Sequence, residues 1–250
     1  MGNVEENVKD YLEEVVNVSI TSITNEKNFL NLLNSNSEVG NIIRRNEVFS
    51  DNGGLYKLIL SVYATFEYTI KECCIRTLHF IDEQPIQNLT PELQMLIFRQ
   101  KLNDLRKKIS ENRNDRSIIK PLTDLHIKIK KTGKFNSNEN MIDTKSNLNY
   151  ETLKEIIEIF NMTESEYNKY RIYIESLITY RNMIAHGNRK DLSEINIREN
   201  ILGNYRIITL KKEENRISYE ELCEALINLI KKFTDDLTLF INEKKFLAAY

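Results

Sequence analysis

An all-α fold is predicted by three observations. Seven glycines and three prolines in 250 residues leave little material for the turns of a many-stranded β fold. Apolar residues recur with helical spacing over long stretches, most clearly from Leu55 to Ile81. Helix-start patterns stand ahead of several of these stretches, namely Thr90-Pro91, Thr163 with Glu166, and Ser218 with Glu221.

In chain order, Val4, Val8, Tyr11, Leu12 and Val15 have helical spacing, so residues 4–34 read as one helix or two short ones. The β-branched run from Val15 to Ile23 weakens that pattern. Asn34 to Asn52 is rich in Asn and Ser and ends in Asp51-Asn52-Gly53-Gly54, a turn signal. Residues 1–50 are therefore expected to form a helical segment and linker, apart from a main domain over 51–250.

Leu55, Leu58, Ile59, Val62, Phe66, Ile70, Cys73, Cys74, Thr77, Leu78 and Ile81 make an apolar arc broad enough for a central helix covered on most sides. Glu67 projects into this arc between Cys74 and Leu78. It is either an edge carboxylate reaching solvent or a buried partner for an arginine. Thr90 and Pro91 are expected as N-cap and first residue of a helix to about Ser110, with a further amphipathic piece after Pro121. Residues 133–140 are polar and expected to be mobile. Asn149 is placed to cap a short helix reaching Phe160, Thr163 and Glu166 to box the start of the next, and Ser218 and Glu221 to box the last. Tyr205 to Leu210 and Arg216 to Ser218 are the strand candidates, giving one small β-hairpin near 205–218.

Composition narrows the function classes. The start Met1-Gly2-Asn3-Val4-Glu5-Glu6 lacks the basic and apolar runs of a signal peptide. No stretch approaches the roughly 18 apolar residues of a membrane span. A cytoplasmic protein without a membrane partner is expected. Cys73, Cys74 and Cys223 do not make a secreted disulfide framework, and His79, His126 and His186 have no metal-ligand spacing with one another or with cysteine. Neither a metal site nor a cofactor is expected. The formal charge of −2 is unevenly spread: residues 99–134 hold twelve Lys/Arg against four Asp/Glu, a local +8 that leaves −10 elsewhere. This segment, with Lys107, Lys108, Lys128, Lys130 and Lys131, either follows a phosphate backbone or is a solvated helix face.

The chemistry concentrates in Tyr180-Arg181-Asn182-Met183-Ile184-Ala185-His186-Gly187. At helical spacing, Tyr170, Tyr173, Ile174, Leu177, Ile178, Ile184 and Ala185 share one apolar arc with Arg181 near its middle. Asn182 and His186, four residues apart, sit one turn above each other on the polar face with Glu175 and Thr179. Gly187 is a suitable helix stop. An arginine centred on an apolar stripe is costly unless it meets an anion or a partner surface.

Arg181-Asn182, three residues, His186 and then Gly187 resembles the signature of the HEPN superfamily. Two further stretches are similar to one prokaryotic branch of it: Leu60-Ser61-Val62-Tyr63-Ala64-Thr65-Phe66-Glu67, where an aromatic–acid pair recurs, and Thr144-Lys145-Ser146-Asn147-Leu148-Asn149-Tyr150, the loop into the later helices. The resemblance covers roughly residues 53 to 245. It implies an antiparallel helix bundle and a metal-independent endoribonuclease of a toxin or anti-phage system. Arg181, His186 and Asn182 would be its catalytic residues, with Glu67 in support. It also implies RNA as substrate, a two-fold homodimer built on the signature helix, and an antitoxin or defence partner protein. The residues suit that chemistry. Imidazole serves as base or acid near neutral pH, and guanidinium matches two phosphate oxygens. Three other readings stay open. The chain could be a non-catalytic HEPN module that binds nucleic acid or a partner protein, or a helical structural subunit. Arg181 could also pair with Glu67 inside the bundle while His186 merely caps the helix. The tyrosines of the signature helix read as core before they read as base-stacking platforms.

Overall fold

The computed structural model describes residues 2–34, 38, 53–111, 123, 127, 133–144, 147–185, 198–201, 204–207 and 217–248. Six α-helices lie among them: α1 (Gly2–Asn34), α2 (Gly53–Phe80), α3 (Pro91–Glu111), α4 (Tyr150–Ile159), α5 (Arg171–Ala185) and α6 (Tyr219–Asn242). Short 3₁₀ turns occur at Ile86–Asn88, Glu164–Glu166 and Asn168–Tyr170.

The chain directions follow from cross-helix contacts. Tyr11 donates to Glu72 (2.5 Å), Thr69 to Ser19 (2.6 Å) and Ser61 to Glu26 (2.8 Å). Numbers rise on α1 as they fall on α2, so the two are antiparallel. Lys27, late on α1 beside Glu26, pairs with Glu224 early on α6 (2.7 Å), and Phe80 at the end of α2 meets Phe246 just past α6 (ring centroids 6.0 Å), so α6 runs parallel to α2. The approach to α5 is tied to the far end of α6 by Tyr167 donating to Asp236 at 2.6 Å, whereas Arg181 near its end stands over Tyr63 of α2. α5 is therefore antiparallel to both. α1 and α5 thus run against α2 and α6 in an all-α bundle.

One apolar core runs through all six helices. α2 is its centre, with Ile59, Val62, Phe66, Ile70, Cys73, Cys74 and Leu78 buried, as its broad arc predicts. α1 contributes Val8, Leu12, Val16 and Ile23 to that same core, so the helix expected to stand apart in residues 1–50 is integral to the bundle. It is also a single helix across Val15 to Ile23. Burial of one stripe outweighs the small helix penalty of the β-branched run. The buried Ser19 answers its own hydroxyl by donating to the Val15 carbonyl at 2.7 Å.

Several local expectations hold. Asn149 accepts from the Thr152 amide at 2.8 Å at the start of α4, and Ser218 with Glu221 forms the reciprocal capping box of α6. Others are corrected. α3 begins at Pro91, but the Thr90 hydroxyl is buried without a hydrogen-bond partner, and the Thr90 carbonyl takes the Gln94 amide instead (3.0 Å). Thr163 makes no side-chain cap, and α5 starts only at Arg171. Glu166 is drawn to Lys232 and Tyr167 is turned fully into the core, so the chain passes through two 3₁₀ turns first. The strand pair lies upstream of the expected one. Arg198–Ile201 pairs antiparallel with Asn204–Ile207, with Arg198 opposite Ile207. Tyr205 to Ile207 is extended as expected, whereas Ser218 of the other expected arm is the α6 cap. Residues 208–216 lie outside the described residues.

The loop of residues 133–140, expected to be mobile, is docked. Phe135 is fully buried and exchanges backbone bonds with the turn after α2: Phe135 donates to Gln84 (2.8 Å) and Glu83 donates to Phe135 (2.9 Å). Ser137 adds its amide to Asp82 (2.7 Å), and its hydroxyl meets Nδ1 of His79 (2.8 Å). Asp82 lies 3.2 Å from that same nitrogen. Both contacts fall on one side of the imidazole, so the trio fastens the loop and is not a nucleophile–base relay, which needs opposite ring nitrogens.

Candidate functional site

α5 carries the signature. Ile174, Leu177 and Ile178 are buried, and Tyr173, Tyr180 and Ile184 pack partly buried against the core. Tyr170, in the turn just before α5, is buried as well. The tyrosines are thus core residues, as expected. Ala185 departs from the predicted arc and is exposed.

Arg181 is half-buried, and an aromatic ring and an amide are among the groups that hold it. Its guanidinium carbon stands 5.2 Å from the centroid of the Tyr63 ring, within the range of a cation–π contact. Its Nη1 donates to Oδ1 of the neighbouring Asn182 at 2.9 Å. An aromatic face from α2 and an amide from α5 thus resolve the cost of placing an arginine on an apolar stripe.

Tyr63 is the residue that sequence reasoning passed over, although it lies inside the stretch Leu60 to Glu67. It is 4% exposed. Its hydroxyl oxygen accepts the Leu148 amide at 2.9 Å, and the Glu67 carboxylate one turn on acts on it electrostatically. Burial foremost pushes this phenol up to about 12, with the Glu67 carboxylate adding to the rise. It therefore stays protonated, and a donor, at neutral pH. Glu67, half-buried, thus acts on the same tyrosine whose ring meets Arg181. The signal that could have found Tyr63 is its position one turn before Glu67 on the arc turned toward α5.

Residues 147–150 bind this site to the bundle. Leu148 is fully buried and supplies the amide to Tyr63. The Tyr150 amide donates to Glu175 of α5 at 3.0 Å, and the Tyr150 hydroxyl to Asn168 at 2.8 Å. Glu175, expected on the polar face, thus helps start α4.

Other predicted site residues are placed differently or lie outside the described residues. His186 and Gly187 lie outside them, directly after Ala185, and so do Lys128, Lys130 and Lys131. Lys107 and Lys108 are on α3, with their side chains outside the described residues. The cysteines are free and buried. Burial pushes Cys73 up to about 12, Cys223 up to about 11 and Cys74 well above the ordinary thiol range, so they remain protonated and unreactive. No helix among the described residues is long and apolar enough to cross a membrane.

Comparison with curated proteins and with solved structures gave no match. A family model described as RiboL-PSP-HEPN matches residues 18–243, from the middle of α1 to the end of α6, with Tyr63, Glu67, Arg181 and Asn182 all inside the matched span. The chain belongs to the RiboL-PSP-HEPN family.

Proposed function

We propose that this protein is an endoribonuclease that cuts RNA without a metal ion, by attack of the substrate's own 2′-oxygen, leaving 2′,3′-cyclic phosphate and 5′-hydroxyl ends. Family membership supports a nuclease-like or RNA-related role. The observation that carries the finer reading is Arg181, half-buried and oriented by Tyr63 and Asn182 in the last turns of α5. A guanidinium fixed in this way is preorganised for the charge that grows on a phosphorane, and its effect is larger where water is partly excluded. Asn182 spends its carbonyl oxygen on Arg181, so its amide N–H groups are the part that can reach a phosphate. His186 takes the base and acid roles, which its residue type suits near neutral pH.

One arginine and one histidine make a thin site. A two-fold dimer through α5 would place two of each in one cleft. We place the enzyme in the cytoplasm, in a toxin or anti-phage system with an antitoxin or other defence protein as partner. Incubating the purified protein with mixed RNA in EDTA tests the reading. Cleavage with those end groups is expected. Retention of RNA without cleavage would move the protein to a binding module, and the absence of both cleavage and retention would make it a structural subunit. Full activity of a monomer at micromolar concentration would overturn the dimer.

The basic segment supplies a separate prediction. With Lys107, Lys108, Lys128, Lys130 and Lys131 all changed to Gln, RNA affinity at low salt should fall. The slope of log affinity against log salt should flatten by roughly 3–4, while turnover at saturation changes little. Unchanged affinity in a filter-binding titration would make the segment a solvated face.

A further inference from the structure

We propose that Tyr63 is a positioning residue for Arg181: its ring carries the guanidinium, and its hydroxyl, held by the Leu148 amide, ties that ring to the loop entering α4. The effect on catalysis rests on the ribonuclease reading above; the positioning itself does not.

The geometry separates the two halves of the side chain. The ring lies 5.2 Å below the guanidinium carbon of Arg181 and is almost wholly buried, so it is a rigid platform and not a surface aromatic that swings. A phenylalanine would fill the same space. The hydroxyl has a distinct use: it accepts from the Leu148 amide at 2.9 Å. Leu148 belongs to the loop that enters α4, and Arg181 to α5, so one α2 side chain ties three parts of the fold together at the signature. Asn182 closes the other side at 2.9 Å. Arg181 therefore has a face and an edge defined before any ligand arrives. Small displacements of a group that must align with a reacting centre can cost about a hundredfold in rate, so the platform matters more than its packing volume alone.

The test uses the full chain as Tyr63→Phe and Tyr63→Leu, with two readouts. The first is the NMR signal of the Arg181 Nε–H group and adjacent methylene, assigned by its loss in Arg181→Lys. Lying over a ring face should shift these protons upfield. The shift is expected to persist in Tyr63→Phe and to vanish in Tyr63→Leu. The second is cleavage kinetics at a temperature where all variants are folded. In Tyr63→Leu, kcat is expected to fall about a hundredfold with KM changed less than about twofold. Tyr63→Phe should recover most of that loss. An Arg181 signal that does not move in Tyr63→Leu overturns the proposal, as does a kcat equal to that of the unaltered protein. If the unaltered protein cuts no RNA, the ribonuclease reading fails, and the NMR readout still decides the positioning.

Discussion

His186→Ala is expected to abolish RNA cleavage while leaving the cooperative unfolding transition unchanged. Loss of a general acid or base costs about 10²–10⁴-fold, and two copies facing one cleft would both be lost. Arg181→Ala should silence cleavage as well, but with a stability penalty that His186→Ala lacks. It leaves the Asn182 oxygen and the Tyr63 ring face without their guanidinium, a loss of about 1–3 kcal/mol where such groups are buried. Glu67→Gln should cut activity less than either, because it disturbs Tyr63 and not the reacting groups. Cleavage is measured on a labelled RNA and on the same RNA carrying a single 2′-deoxy residue at the scissile position. Turnover of the deoxy substrate would rule out 2′-oxygen attack, and activity surviving His186→Ala would rule out the site.

The largest expected effect on stability is at α1. Leu12 is fully buried in the common core, so Leu12→Ala should cost about 2–5 kcal/mol, read as a lower urea midpoint at unchanged slope. A change under about 0.5 kcal/mol, as for a surface substitution, would mean that α1 is a detachable segment. Val18, on the same helix but 64% exposed, serves as the control and should tolerate alanine.

What was legible in the sequence was mostly what neighbours along the chain decide. The arc from Leu58 to Ile81 gave the central helix because helical spacing alone sets which side chains share a face. Asn149 and the Ser218–Glu221 box marked helix starts correctly, since a cap is satisfied by amides two or three residues away. Thr163 with Glu166 has the same spacing and failed, because Lys232 and Asp236 on α6 compete for Glu166 and Tyr167. Tertiary contacts outbid a local pattern there. The loop of residues 133–140 reads as polar, and its one telling residue, Phe135, finds its burial against elements far away in sequence.

The sequence by itself determined the all-α class, the course of most helices and the Arg-Asn-x-x-x-His pattern that pointed to the family. Each of these depends on periodicity or on a short motif. Tertiary structure alone decided that α1 belongs to the core and that the α5 arginine sits on a tyrosine of α2. It also decided that this tyrosine is fixed by a loop amide and lies within the field of Glu67. No local rule pairs Tyr63 with Arg181 or Leu148. Their meeting requires α2 and α5 to run antiparallel in one register, and that register is set by the burial of the whole bundle.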